Sequence, residues 1–180
     1  MSRWQTTSSK IVYENPWIKV HEDTTVTPDG KDGLYGWIES KSPAVFVVPV
    51  DDDGNTYIIN QERYTRKELR WEGVAGRTDG EPYDVAAKRE LLEETGIKAD
   101  KIDVLSEIEI ANGTTSFSGA ICVARDLEQT DSAIDAAEGI SEVRKLPLTE
   151  VVDMIMRGEI VDSQTIAATF MAVEYLRGNS

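Results

Sequence analysis

Several things are scarce or missing in this 180-residue chain, and each absence removes a class of protein. A single cysteine, Cys122, can make neither an internal disulfide nor a thiolate zinc cluster, and a reducing cytoplasm is the expected compartment. The single histidine, His21, has no aspartate or nucleophile spaced to complete a triad, which points to a structural role. Neither a G-x-S-x-G elbow nor a G-x4-G-K-S/T loop occurs. The longest apolar run, residues 44–50, falls far short of the roughly 18 to 20 that a membrane span needs. The first ten residues hold no apolar segment of the kind a secretory signal carries. Positive charge is short as well: 19 Lys and Arg against 33 Asp and Glu leave a net charge of −14. Nucleic-acid backbones are held by counterion release from clustered cations, and anionic membranes repel an acidic surface, so neither partner is expected.

What is present is ordinary and globular, with 40% hydrophobic and 29% charged residues and no internal repeat. The length corresponds to about one domain with room for a small appendage. Residues 10–40 alternate in short segments around Ile11, Trp17–His21 and Leu34–Ile38, with turn formers Asn15-Pro16 and Pro28-Asp29-Gly30 between them. This predicts a small antiparallel extension over residues 1–41 whose first ten residues are loosely tied. The main domain, 42–180, opens with a buried strand over 44–50, a turn at 51–55, and a strand over 56–60 paired back on the first. Residues 82–95 change to a helical period, with Val85, Ala87, Leu91 and Leu92 on one side, charges on the other and Gly96 as the stop. Strands over 102–110, 117–124 and 142–146 follow. Two helices close the chain, one over 149–156 and one capped by Asp162 or Ser163 with Ile166, Phe170 and Val173 at helical spacing. Strands, one central helix, more strands and two terminal helices give an α/β or α+β class, a mixed sheet covered by helices.

The chemistry concentrates in Arg89-Glu90-Leu91-Leu92-Glu93-Glu94-Thr95-Gly96-Ile97. On a helix, Glu90 and Glu94 stand at i and i+4 with Glu93 at i+3, so the three carboxylates project from one face within about 5 to 6 Å at Cβ. A divalent cation turns their mutual repulsion into attraction. Oxygen donors with no His or Cys nearby select a hard cation, Mg²⁺ or Mn²⁺, over zinc. Arg89 can reach Glu93 or fold back to Glu81 and so hold the carboxylates. Upstream, Arg63, Arg66, Lys67, Arg70 and Arg77 stand against Glu62, Glu68 and Glu72, a local net of +2 in an acidic chain. Such an island is either a solvated surface or a contact for a small anion, with Arg63 and Arg77 as the candidate contacts.

Glu81, seven residues and then the run from Arg89 to Ile97 resemble the Nudix box, G-x5-E-x7-R-E-U-x-E-E-x-G-U with U aliphatic, and every specified position from Glu81 onward matches. The opening glycine is the one departure. Its position holds Ala75, with Gly76 one residue later, so the loop over 77–80 is a residue shorter; this touches the loop geometry and the carbonyl of Ala75, and removes no carboxylate. The resemblance implies a Nudix-like α/β/α sandwich that hydrolyses nucleoside diphosphates linked to another moiety, with Mg²⁺ or Mn²⁺ held by Glu90, Glu93, Glu94 and the Ala75 carbonyl. By the same resemblance Glu81 orients Arg89, and Glu93 and Glu94 serve catalysis.

Beyond the box, the resemblance is nearest the ADP-ribose pyrophosphatase branch, through Asn15-Pro16-Trp17-Ile18-Lys19-Val20, Asn60-Gln61-Glu62-Arg63-Tyr64 and Gly158-Glu159-Ile160-Val161-Asp162-Ser163. In that branch the N-terminal sheet packs against or swaps into a second subunit, which implies a homodimer. Trp17 and Trp37 match positions that stack the base or serve the dimer contact, and Arg63 matches a phosphate-contacting arginine. A downstream glutamate often positions the attacking water, for which Glu138 and Glu142 are the candidates. The proline that many ADP-ribose enzymes carry past the box is absent from residues 111–115. The implied reaction is cleavage of ADP-ribose or a related nucleoside diphosphate sugar to a nucleoside monophosphate and a sugar phosphate. GDP-mannose or another nucleoside diphosphate derivative is the alternative substrate, and a nucleotide-sensing module without turnover is the alternative of another class.

Overall fold

The computed structural model describes residues 3–132, 134 and 139–178, and it is a mixed α+β structure. Its contacts divide the chain into two compact units, one from the residues up to Pro43 together with Ile108–Gly119, the other from Ala44–Glu107 together with the chain from Ala120 on.

The first unit is built on three antiparallel strands in the order β1 (Gln5–Glu14), β2 (Ile18–Val26), β3 (Asp32–Ser40). The turn between β1 and β2 is made by Asn15, whose Oδ1 accepts from both Trp17 N and Ile18 N at 2.9 Å. Gly30, with φ 85°, closes the second turn by donating to Thr27 O at 2.8 Å. The first ten residues are not loosely tied: from Gln5 they form β1, in register from Gln5 opposite Val26 to Glu14 opposite Lys19. Every position of β1 is exposed, so its order comes from ladder hydrogen bonds to β2 and not from burial of its own side chains, and patterning marked only its second half, around Ile11.

In the second unit, β4 (Ala44–Pro49) is buried at all six positions. Val45 and Val47 join Leu91, Ala86 and Ala87 of α1 (Tyr83–Thr95) in the larger core cluster. Phe46 and Val48 line a small cavity with Thr165, Ala168 and Thr169 of α3 (Ser163–Gly178). Odd and even residues of one strand thus face different helices, the arrangement of a sheet covered on both sides. The sheet order is β7 (Val74–Arg77), β4, β9 (Ser118–Gln129), β8 (Ile97–Glu109). A second sheet has the order β10 (Ile140–Pro147), β5 (Asn55–Arg63), β6 (Glu68–Glu72), and α2 (Leu148–Met156) follows β10.

Three expectations change here. The turn at 51–55 is present, with Asp51 Oδ1 accepting from Asp53 N and Asn55 N, but the strands it joins meet only at the single bridge Val50–Thr56. β4 then pairs with β7 and β9, while β5 pairs with the next strand, β6, on one side and the distant β10 on the other. The segment read as a charged island supplies both β6 and β7. The helix faces also differ. On α1 the buried residues are Ala86, Ala87, Glu90, Leu91, Glu94 and Thr95, while Val85 is exposed; on α3 they are Thr165, Ala168, Thr169 and Ala172, while Phe170 is exposed. Ala87 and Leu91 of the expected stripe do pack inward, but the contact is shared with small residues and with Glu90 and Glu94, while Val85 and Phe170 face outward.

Candidate active site

Helix α1 starts after Pro82 with Asp84 in its first turn, and ends at Gly96, whose φ of 71° lets its N–H close on Leu92 O at 2.9 Å. Between these ends the helix turns two carboxylates inward. Glu90 is 9% and Glu94 only 1% exposed, whereas Glu93 lies on the exposed flank. The face thought to carry all three carboxylates therefore splits, with two inside and one at the rim.

The wall opposite the pair is the backbone of β7. Ala75 N donates to Glu94 Oε2 at 3.1 Å. Gly76 lies so close under Glu90 that a Cβ there would sit 2.0 Å from its Cδ and 2.2 Å from both oxygens. Only glycine leaves room for that carboxylate. Arg89 then ties the cluster together: Nε donates to Glu81 Oε2 at 2.8 Å, Nη1 to Glu90 Oε1 at 2.7 Å and Glu93 Oε2 at 3.1 Å, and Nη2 to the Arg77 carbonyl at 2.8 Å. Burial alone would lower the pKa of this guanidinium, but the carboxylates around it outweigh that and hold it above the ordinary arginine value. The link between Glu81 and Arg89 expected from the spacing is formed.

Arg63, at the end of β5, places Nε and Nη2 on one oxygen of Glu72, Oε2, at 3.0 and 2.7 Å. Burial again opposes its charge, and Glu72, then Glu94 and Asp162, raise its pKa above the usual value. Neither Glu72 nor the contact between Gly76 and Glu90 was read from the sequence. A charged residue at a buried strand position, between Trp71 and Gly73-Val74, was the available signal for Glu72. Arg77 has Asp79 at 3.8 Å. Glu142 lies exposed on the edge strand β10, accepting from Arg144 at 2.9 Å, and Glu138 lies outside the described residues.

Trp17 and Trp37 belong to the first unit. Trp17 is 59% exposed beside the turn that follows β1. Trp37 stacks on His21 with ring centroids 4.2 Å apart, and its Nε1 donates to Asp23 Oδ2 at 2.9 Å. His21 also bonds Glu39 Oε2 at 2.8 Å. Cys122 is wholly buried in β9, and burial pushes its thiol up to about 12.

Among the described residues no three His, Cys, Asp or Glu side chains converge as a ready-made metal cage. The pair Glu90 and Glu94, with only oxygen donors and a backbone strand pressed against them, nevertheless suits a hard cation that takes one or two carboxylates and completes its shell from water or substrate oxygens. No helix of the described residues is long and apolar enough to cross a membrane.

Two family models match the chain: a nucleoside diphosphate sugar hydrolase N-terminal domain over residues 4–38, and a NUDIX domain over residues 40–168. An ADP-ribose pyrophosphatase of Mycobacterium tuberculosis is 30% identical over 167 residues, covering 91% of this chain and 80% of the relative. A GDP-mannose pyrophosphatase of Yersinia enterocolitica is 33% identical over 172 residues, covering 88% of each. The crystal structure of an ADP compounds hydrolase superposes over the whole chain and 97% of its own, with a TM-score of 0.88 at 22% identity, a likeness of fold. With the box residues brought together on α1 and β7, and a domain match spanning most of the chain, this protein belongs to the Nudix family of pyrophosphohydrolases.

Proposed function

We propose that the protein hydrolyses the pyrophosphate bond of ADP-ribose or a related nucleoside diphosphate sugar, releasing a nucleoside monophosphate and a sugar phosphate. The observation that carries this is the buried pair Glu90 and Glu94, held against a β7 backbone that has no side chain at Gly76. Both carboxylates are drawn out of water, Glu90 beside Arg89 and Glu94 on the Ala75 N–H, and burying a carboxylate costs several kcal/mol that a cation at the same face would help to offset. Glu90 and Glu94, with Glu93 at the rim and the Ala75 carbonyl, are the groups that would hold Mg²⁺ or Mn²⁺. When bound, such a cation offsets the charge of the pyrophosphate oxygens and activates a water. Arg89 fixes Glu90 and Glu93 in place, Arg63 and Arg77 contact the phosphates, and Glu138 or Glu142 positions the water.

Trp17, exposed in the first unit, would stack on the base, with Trp37 as the second aromatic. The N-terminal extension, 1–41, forms the contact of a homodimer: Ile11, Val12, Tyr13 and Leu34 are all exposed on its sheet, an apolar surface that a second copy would cover. The buried free thiol of Cys122 is in keeping with the cytoplasm. The two relatives act on different sugars, so GDP-mannose stays as a second substrate. The test is incubation with Mg²⁺ and ADP-ribose, ADP-glucose, GDP-mannose, NADH or 8-oxo-dGTP, with Glu94→Gln alongside. AMP from ADP-ribose with the parent alone supports the reading; turnover of GDP-mannose alone moves the substrate; binding without turnover points to a sensor.

A further inference from the structure

Directly across the ladder from Arg63 stands Glu68, yet Arg63 does not use it. Glu68 pairs with Arg70, and Arg63 turns back along the strands to Glu72, which lies opposite Ile59. Glu72 is a buried carboxylate, 8% exposed. Burying it where a solvated partner was available is unfavourable for a simple surface tie, because surface pairs contribute little and buried ones must first be desolvated. The backbone that follows Glu72 is also held. Gly73 N donates to Thr165 Oγ1 at 2.9 Å, and that hydroxyl donates to Asp162 Oδ2 at 2.8 Å in the first turn of α3.

Geometry gives this arrangement a use. Glu72 engages Nε and one hydrogen of Nη2, so among the described residues it leaves three of the five guanidinium N–H groups, and the second hydrogen of Nη2 with one of Nη1 forms the terminal edge. That edge has the planar spacing that suits a phosphate. The charges of Glu94 and Asp162 also act on this guanidinium. We propose that Glu72 is a positioning residue for the reaction: it holds the guanidinium of Arg63 by one edge so that the other is presented, already oriented, to the pyrophosphate. This rests on the phosphate role given to Arg63 above.

The test is a double-mutant cycle on the full chain, reading kcat, KM and thermal midpoint for the parent, Glu72→Ala, Glu72→Gln, Arg63→Ala and Arg63→Ala with Glu72→Ala, on whichever substrate is turned over. Glu72→Ala is expected to raise KM about tenfold while kcat stays within about twofold, and Glu72→Gln, which keeps one acceptor oxygen, recovers part of the loss. Once Arg63 is gone, removing Glu72 should change KM by less than about twofold. An equal KM increment with and without Arg63 overturns the proposal, as does a parental KM for Glu72→Ala. If Glu72→Ala does not fold, Glu72→Gln takes its place in the cycle with the same criterion. If Arg63→Ala alone keeps the parental KM, the phosphate role of Arg63 fails and Glu72 falls with it, while loss of turnover in Glu94→Gln would still support the hydrolase.

Discussion

Gly76→Ala adds one methyl group at the point where β7 meets Glu90. The φ of Gly76 lies outside the left-handed region, so alanine fits the backbone and only the new Cβ matters. That atom would lie 2.0 Å from Glu90 Cδ, and carbon atoms rest at about 3.5–4.0 Å, so the carboxylate must retreat by roughly 1.5 Å. Misplacing a reacting group by about 1 Å can cost on the order of a hundredfold, and we expect kcat/KM to fall by about that factor or more. The fold should suffer less, because the displaced group is the end of a flexible side chain. Losing the contact from Arg89 to Glu90 costs about 1–3 kcal/mol, or a midpoint lower by roughly 2–4 °C for each kcal/mol in a chain of this size. Steady-state kinetics at saturating Mg²⁺, a Mg²⁺ titration and a thermal melt read the three quantities together. A folded Gly76→Ala protein with parental kcat/KM would refute the placement of Glu90 at the reacting centre.

Glu94→Gln keeps an oxygen to accept from Ala75 N but removes the charge, so activity should drop about a thousandfold or more with the melt within a few degrees; a variant that stays active removes Glu94 from the site. Arg89→Lys replaces a fork that reaches Glu81, Glu90, Glu93 and the Arg77 carbonyl with a single ammonium, and should destabilise by about 1–3 kcal/mol in denaturant titration and cut activity; parental values would show that the fork is not needed. The Cys122 thiol is raised by burial from 9.0 to about 12, so its contribution is complete below pH 9 and is lost as pH rises from there toward 12, at about 1.4 kcal/mol per unit. Alanine at position 122 should flatten that alkaline slope in stability, and native protein should resist thiol alkylation at pH 8; rapid modification without denaturant contradicts the burial. Aspartates at Ile11 and Tyr13 should convert a dimer to a monomer in sedimentation, and an unchanged mass would place any dimer contact elsewhere.

What the sequence revealed and what it hid follow from the range of the interactions. The α1 box, its Gly96 stop, the turn at 51–55 and the Asp162 cap, which accepts from Thr165 N at 2.7 Å, were legible because each is decided within a few residues. The partners of β4 and β5 were not, since β4 pairs with β7 and β9 and β5 with β10, all brought in from farther along the chain, and the remaining partner of β5, β6, lay inside the segment read only as a charged island. The first half of β1, before the segment read at Ile11, was missed for another reason: hydrogen bonds to β2 hold it, and they leave no mark on its exposed side chains. The inward turn of Glu90 and Glu94 could be read only against a sheet. Periodicity assigns charges to the solvent face, and a site that buries them breaks that rule for its own purposes.

The charged island changes meaning for the same reason. In isolation its net of +2 read as either a solvated surface or a contact for a small anion; in the fold Arg63 pairs with Glu72, Arg70 with Glu68, and Arg77 has Asp79 beside it. Around the box the balance is negative: Glu72, Glu81, Glu90, Glu93 and Glu94 share the guanidiniums of Arg63 and Arg89. A diphosphate ester adds two more negative charges at neutral pH. Side chains so arranged orient an anion more than they neutralise it. A divalent cation held by Glu90 and Glu94 would supply the missing positive charge, and substrate and cation would then bind as a linked pair, each strengthening the other by the same factor. On this argument, the same acidity that makes a nucleic-acid partner unexpected would make the proposed hydrolysis call for a divalent cation.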